Sequence, residues 1–286
     1  MRKKTLLVGA LLAFATLFTA CDNWKKGTAK AVEKEVTEEV RETVDLSVLK
    51  VDSVKFDVHW ELSDPELAEY TGGEKPGLKC VIDVPSFKQN PVLANAIMEW
   101  INEHFGGTYK GDMKDVKSMV KAYIKFCRKE EGGMGSDAQY EFEIRKIYEN
   151  ENVVTYLMSG YDYAFGAAHG MPYINGASFR KSDGKLFGWN MFSNTADLQA
   201  SLKKGLMDYF DVTEDSELED NLMVDGIYSV NNLPKPDSDP WITKDGVEMV
   251  YQSYEVACFA AGQPNVVIPT AQAKTMLTAT ASKLLE

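Results

Sequence analysis

The 286-residue chain is poor in the residues from which catalytic and metal centres are usually built, with three histidines (His59, His104, His169) and four cysteines (Cys21, Cys80, Cys127, Cys258). These are too far apart for a zinc-finger or two-His-plus-acid pattern, so neither a metal nor a cofactor is expected. There is no Gly-x-Ser-x-Gly elbow, no His-Glu-x-x-His pair, no phosphate loop and no calcium loop. Asp237-Ser238-Asp239, set among prolines, reads as turn capping. Positive charge is also short: 31 Lys and Arg stand against 43 Asp and Glu, a formal charge of −12. That balance argues against nucleic acid as a partner. Past Phe18 no apolar run is long enough to span a bilayer. A disordered chain is excluded by the opposite kind of count, since 44% of the residues are apolar and 11% aromatic, enough to bury a core.

What is present begins with a leader. Arg2, Lys3 and Lys4 precede an apolar stretch from Leu6 to Phe18 and a small-residue cut site, Thr19-Ala20, which together read as a secretory signal over residues 1–20. Cys21 follows directly, as in a bacterial lipobox. The resemblance to lipoproteins implies that Cys21 becomes the acylated N-terminus and ties a folded domain to a membrane face. The alternative is an ordinary cleaved signal with Cys21 as a disulfide partner. Loss of the three leader cations leaves a charge of −15. Such acidity either attracts a cationic protein or peptide or simply confers solubility. Lipidation leaves three cysteines, which allow at most one disulfide, and Cys80, Cys127 and Cys258 each also read as small buried apolar residues. Residues 21–44 are charged and form a tether between anchor and domain.

The remainder, 45–286, is expected to be one α+β domain with mainly antiparallel sheet packed against amphipathic helices. An N-terminal subregion (45–135) and a C-terminal subregion (136–286) divide it. Alternation over 46–62 and 78–87 predicts two strands. Asn90-Pro91 opens a helix with Leu93, Ile97, Trp100 and Ile101 on one face, closed by Gly106-Gly107, and a second helix is expected over about 112–130. Strands are expected at 139–148, 152–165, 173–180, 185–189 and 247–259, a third helix around Leu198 to Phe210, and a last helix up to Leu285. The acidic run 211–220 reads as loop or helix end.

One segment concentrates chemistry. Between Tyr161 and Tyr173, small residues let the backbone turn while Tyr161, Asp162, Tyr163, Phe165, His169 and Tyr173 crowd around it. These six, with Tyr254 and Glu255, are the candidate ligand-binding residues. Two readings stay open: a binding loop with His169 as a hydrogen-bonding contact, or a structural turn in which His169 satisfies a buried carbonyl.

The run Tyr161-Asp162-Tyr163 with Gly166-Ala167-Ala168-His169-Gly170, then Asp183-Gly184 and Tyr254-Glu255-Val256-Ala257, resembles the extracytoplasmic domain shared by the anti-sigma factor RsiV and the non-catalytic region of the peptidoglycan deacetylase PdaC. Ala167 stands where the pattern has Gly, and Cys258-Phe259 where it has Pro-Tyr. The resemblance implies an α+β fold at the cell envelope and a binding role, with a cationic protein such as lysozyme, a peptide or cell-wall glycan as ligand. A cell-wall hydrolase with His169 as acid or base beside Asp162 or Glu255 is the alternative, and a structural assembly lipoprotein a third.

Overall fold

A computed structural model describes residues 47–129, 134–222 and 229–286, and residues 46–286 form one compact unit. The leader, Cys21 and the tether lie outside the described residues. A five-stranded sheet comprises β1 (Val51–His59), β2 (Gly77–Pro85), β3 (Ala138–Glu149), β4 (Val153–Ala164) and β5 (Met171–Arg180), in that spatial order. All neighbours are antiparallel except β2 and β3. A parallel pair requires a crossover, and helices α1 (Pro91–His104) and α2 (Val116–Cys127) supply it.

Both crossover helices start on side-chain caps. Asn90 accepts a hydrogen bond from the Leu93 N–H, with Pro91 in the first turn, and Asp115 accepts from the Ser118 N–H; such caps contribute about 1 kcal/mol each. Gly106 and Gly107 close α1 with φ of 71° and 61°, a conformation that favours glycine. The buried faces Leu93, Ile97, Ile101 and Met119, Val120, Tyr123 cover one side of the sheet. There Leu78, Cys80 and Ile82 of β2 meet Tyr140, Phe142 and Ile144 of β3, and Tyr156 and Phe179 complete the core. The opposite side at β1–β3 carries exposed Lys79, Glu141 and Glu143.

A second core is built on a three-stranded antiparallel sheet, β6 (Trp241–Ile242), β7 (Gly246–Val250) and β8 (Asn265–Pro269). Leu198, Leu202 and Leu206 of α3 (Thr195–Phe210) and Leu218 of α4 (Asp215–Asn221) pack into it, as do Ala273 and Met276 of α5 (Thr270–Met276). It docks on β4–β5 through a buried lock. Thr155 and Ser178 hydroxyls lie 2.7 Å apart, Thr155 donates to the Ile242 carbonyl, and the Ile242 N–H donates to Ser178. Gly176 admits the Trp241 indole, which a Cβ there would approach to 2.1 Å.

The architecture is α+β with mainly antiparallel sheet, as the sequence implies. Several details differ. The division at 135 is not a division of the fold, because β3 pairs with β2 and continues the same sheet through β4 and β5; the two cores separate near Arg180. Residues 185–189 contribute only a bridge between Leu186 and Phe179. The strand expected to reach Phe259 ends at Val250, and Cys258 is exposed rather than buried, because the chain leaves the sheet there to form a loop. Cys80 and Cys127 are buried, and the three described cysteines are free thiols.

Candidate functional site

Strand parity decides which candidate residues can meet. Along β4, Tyr161 pairs with Glu141 on β3 and Pro172 on β5, whereas Asp162 pairs with Tyr140 and Met171. Adjacent residues of a strand point to opposite faces. Tyr161 therefore stands on the side away from α1 and α2, and Asp162 faces the helix-covered core.

The β4–β5 connection folds back over the Tyr161 ring. Gly166 turns it with φ of 83°, and the Gly170 N–H donates to the Tyr161 hydroxyl at 2.9 Å. A Cβ at Gly170 would sit 2.4 Å from that ring, so the close approach requires glycine. His169 is thereby presented outward. Its Nδ1 lies 3.0 Å from the Gly170 carbonyl and its Nε2 3.4 Å from the Tyr254 hydroxyl.

Tyr254 arrives from a loop 85 residues later in the chain. That loop is pinned to the edge strand by Gln252, whose amide donates to the Ile174 carbonyl and accepts from the Ile174 N–H, replacing a strand partner. Glu255 braces the turn, accepting from the Asp237 and Gln252 N–H groups at 2.6 Å each. Burial pushes its carboxyl up from the ordinary value, and these two N–H groups oppose the shift. Tyr254 itself has φ of 67°, a strained region for a bulky side chain. The result is a cluster of rings: His169 stacks on Phe259 at 3.8 Å between centroids, and Tyr254 lies 5.8 Å from Phe259. Tyr161 and Tyr254 are each 46% exposed, so the cluster is a surface platform rather than core.

Of the eight candidates, the fold gathers Tyr161, His169 and Tyr254 at this platform. Phe259 belongs to it as well and was missed, because its expected strand would have carried it elsewhere. Phe165 is buried under Tyr163, whose hydroxyl donates to the Ala167 carbonyl. Asp162 and Tyr173 face the core with Tyr123, Tyr140 and Cys127. The Asp162 Oδ1 and the Tyr173 hydroxyl are sealed from solvent without a well-formed hydrogen bond. Burial pushes the Asp162 carboxyl up to about 7, against the pull of the Tyr173 hydroxyl. The pairings of His169 with Asp162 or Glu255 do not form: one carboxylate points to the other side of the sheet, and the other is bound to backbone.

The remaining histidines stand apart. His59 pairs with Asp57 at 2.8 Å. His104 Nδ1 donates to the Trp100 carbonyl, and burial pushes its imidazole down, that contact opposing. Among the described residues no group of three His, Cys, Asp or Glu side chains could hold a metal ion, and no helix is long and apolar enough to cross a membrane.

Comparison with known proteins bears on this arrangement. Residues 190–271 match the family described as a protein of unknown function, DUF3298. They include the loop that carries Tyr254 and Phe259 but not the one that carries His169. No curated protein matches. Two solved DUF3298 structures share the fold. The one from Bacteroides fragilis has a TM-score of 0.61 at 19% identity, over 84% of this chain and 98% of its own. The one from Pseudomonas aeruginosa scores 0.55 at 14% identity, over 83% and 98%. Residues 190–271 are thus similar to a family of unknown function, and the α+β scaffold is of the kind those two structures have, in line with the resemblance drawn from its motifs.

Proposed function

We propose that the protein is a lipid-anchored binding protein of the bacterial cell envelope, whose ligand contacts the exposed rings of His169, Tyr254 and Tyr161 and the half-buried ring of Phe259. The ligand is a cationic protein of the lysozyme kind, a peptide or a peptidoglycan fragment. The leader followed by Cys21 supports the anchor. One observation carries the binding role: two loops far apart in sequence converge so that an exposed histidine stacks on a half-buried phenylalanine beside an exposed tyrosine whose backbone is strained. Rigid aromatics are enriched among the few side chains that dominate recognition energy, about 2 kcal/mol or more for those that become fully desolvated in the complex.

The test is binding of the mature chain to lysozyme and to purified peptidoglycan, at low and at physiological salt. Saturable binding that persists at physiological salt is expected, weakened at least about tenfold by the double substitution His169→Ala and Tyr254→Ala. Both side chains are exposed, so the thermal midpoint should stay close to that of the parent. Binding that disappears with salt reduces the acidity to solubility, and unchanged affinity in the double variant removes the platform from the site.

A further inference from the structure

A second concavity lies on the same side of the main sheet, a cavity of about 330 Å³ at the β1–β3 end. The register explains it. One row of in-register positions crosses the sheet as Asp57, Lys79, Glu141, Tyr161 and Pro172. The next row runs His59, Gly77, Gln139 and Tyr163. Gly77 contributes no side chain between His59 and Gln139, and this leaves a hollow with the imidazole leaning over its floor. A Cβ there would come within 2.7 Å of His59 Nδ1. The cavity therefore shares its rows with the ring platform, and nothing from the second core stands at Glu141, which is exposed.

We propose that this cavity is a second subsite of the same binding face, and that the ligand spanning it is an extended, uncharged oligosaccharide rich in hydroxyl and amide groups. The inference rests on the platform reading above and narrows its ligand to one class. Three features of the cavity select that class. Its carboxylates are already held: Asp57 by His59 at 2.8 Å, Glu141 by Lys79 at 3.3 Å, and Glu74 by the Gln139 amide at 2.6 Å. Each keeps lone pairs free to accept hydrogen bonds from hydroxyl and amide donors. Lys75 and Lys79 offset all but one of the cavity's three acids, Asp57, Glu74 and Glu141, so little of the attraction a cationic protein would exploit is present at this spot. Its volume is that of a small-ligand pocket, whereas a protein surface needs a far broader contact.

Length completes the argument. Four interstrand steps separate β1 from β5, roughly 19 Å at the usual spacing. That distance calls for several linked rings, with one end among polar side chains in the cavity and the other stacked on Tyr161, His169 and Tyr254.

The experiment measures binding of the full mature chain to N-acetylglucosamine oligomers from dimer to hexamer, by calorimetry. Affinity should rise at least roughly tenfold from dimer to hexamer as both subsites engage. The double substitution His59→Ala and Glu141→Gln, at two exposed side chains, should abolish that rise and leave the dimer unaffected. Tyr254→Ala should weaken every length. A hexamer bound equally well by the cavity variant, but poorly by Tyr254→Ala, overturns the subsite and leaves the platform standing. Lysozyme bound while no oligomer binds overturns the oligosaccharide and again leaves the platform. Failure of sugars, lysozyme and peptidoglycan alike would overturn both.

Discussion

Replacing Asp162 by Asn should make the protein more stable, and increasingly so as pH rises. The carboxyl sits on the helix-covered side of β4, opposite Tyr140 and beside Tyr173, with Oδ1 sealed from water. Burial raises it from 3.8 to about 7. An acid with a raised value in the folded state binds more protons folded than unfolded within that window, so stability falls as pH rises through it. The stabilising contribution is full below about pH 4 and is lost by about pH 7. At 1.36 kcal/mol per pH unit the ionisation penalty above pH 7 is on the order of 4 kcal/mol. Asn has nearly the same shape and no ionisation, so it escapes the penalty. Urea unfolding of parent and Asp162→Asn at pH 4, 5.5, 7 and 8.5, with equal m-values, isolates the effect. The extra amide donors of Asn add an offset that is the same at every pH, so the slope of the difference is what counts. A difference that does not grow between pH 4 and pH 7 would refute the account of a buried, poorly satisfied carboxyl.

The opposite electrostatic case occurs at Glu149, which binds the Leu49 N–H, Lys146 and the buried Lys181. Burial alone would raise its carboxyl, but these partners outweigh it and hold it below the ordinary value, so its contribution is present above about pH 4.5 and lost as pH falls through the folded value. Glu149→Gln leaves Lys181, whose side chain is 4% exposed, with the Asn150 carbonyl but without its anionic partner, and should cost about 3–5 kcal/mol in urea unfolding at pH 7; a loss below about 1 kcal/mol would mean that Lys181 finds water. Cys21→Ser should move the exported chain from the membrane fraction to the soluble one and abolish incorporation of labelled palmitate. Continued membrane association of that variant would sink the lipid anchor.

Local signals explain which parts of the fold were legible. Asn90-Pro91 and Gly106-Gly107 bracket α1 because caps and left-handed closure are chemistry of a few neighbouring residues. The β3–β4 pair follows from alternation and a short turn. By contrast, the parallel pairing of β2 with β3 carries no mark of its own in either strand, and this is why a boundary at 135 looked plausible inside what is one sheet. The candidate site divides along the same line. Adjacency in sequence suggested that Tyr161, Asp162 and His169 act together, yet the two-residue period of a strand sends Asp162 to the core and Tyr161 to the surface. Phe259 could not be seen at all, because its position depends on a side chain of one loop imitating a strand. Gln252 bonds both backbone groups of Ile174, and that substitution of amide for peptide, with Glu255 bracing the turn, holds Tyr254 and Phe259 over His169. The platform is therefore a product of how the second core docks on the edge of the first, through Gln252 at the rim and through Thr155, Ser178 and Ile242 beneath. It follows that Tyr254 and Phe259 are held by a different part of the molecule from the cavity at β1–β3, and that a ligand touching both would report on the docking as well as on either surface alone.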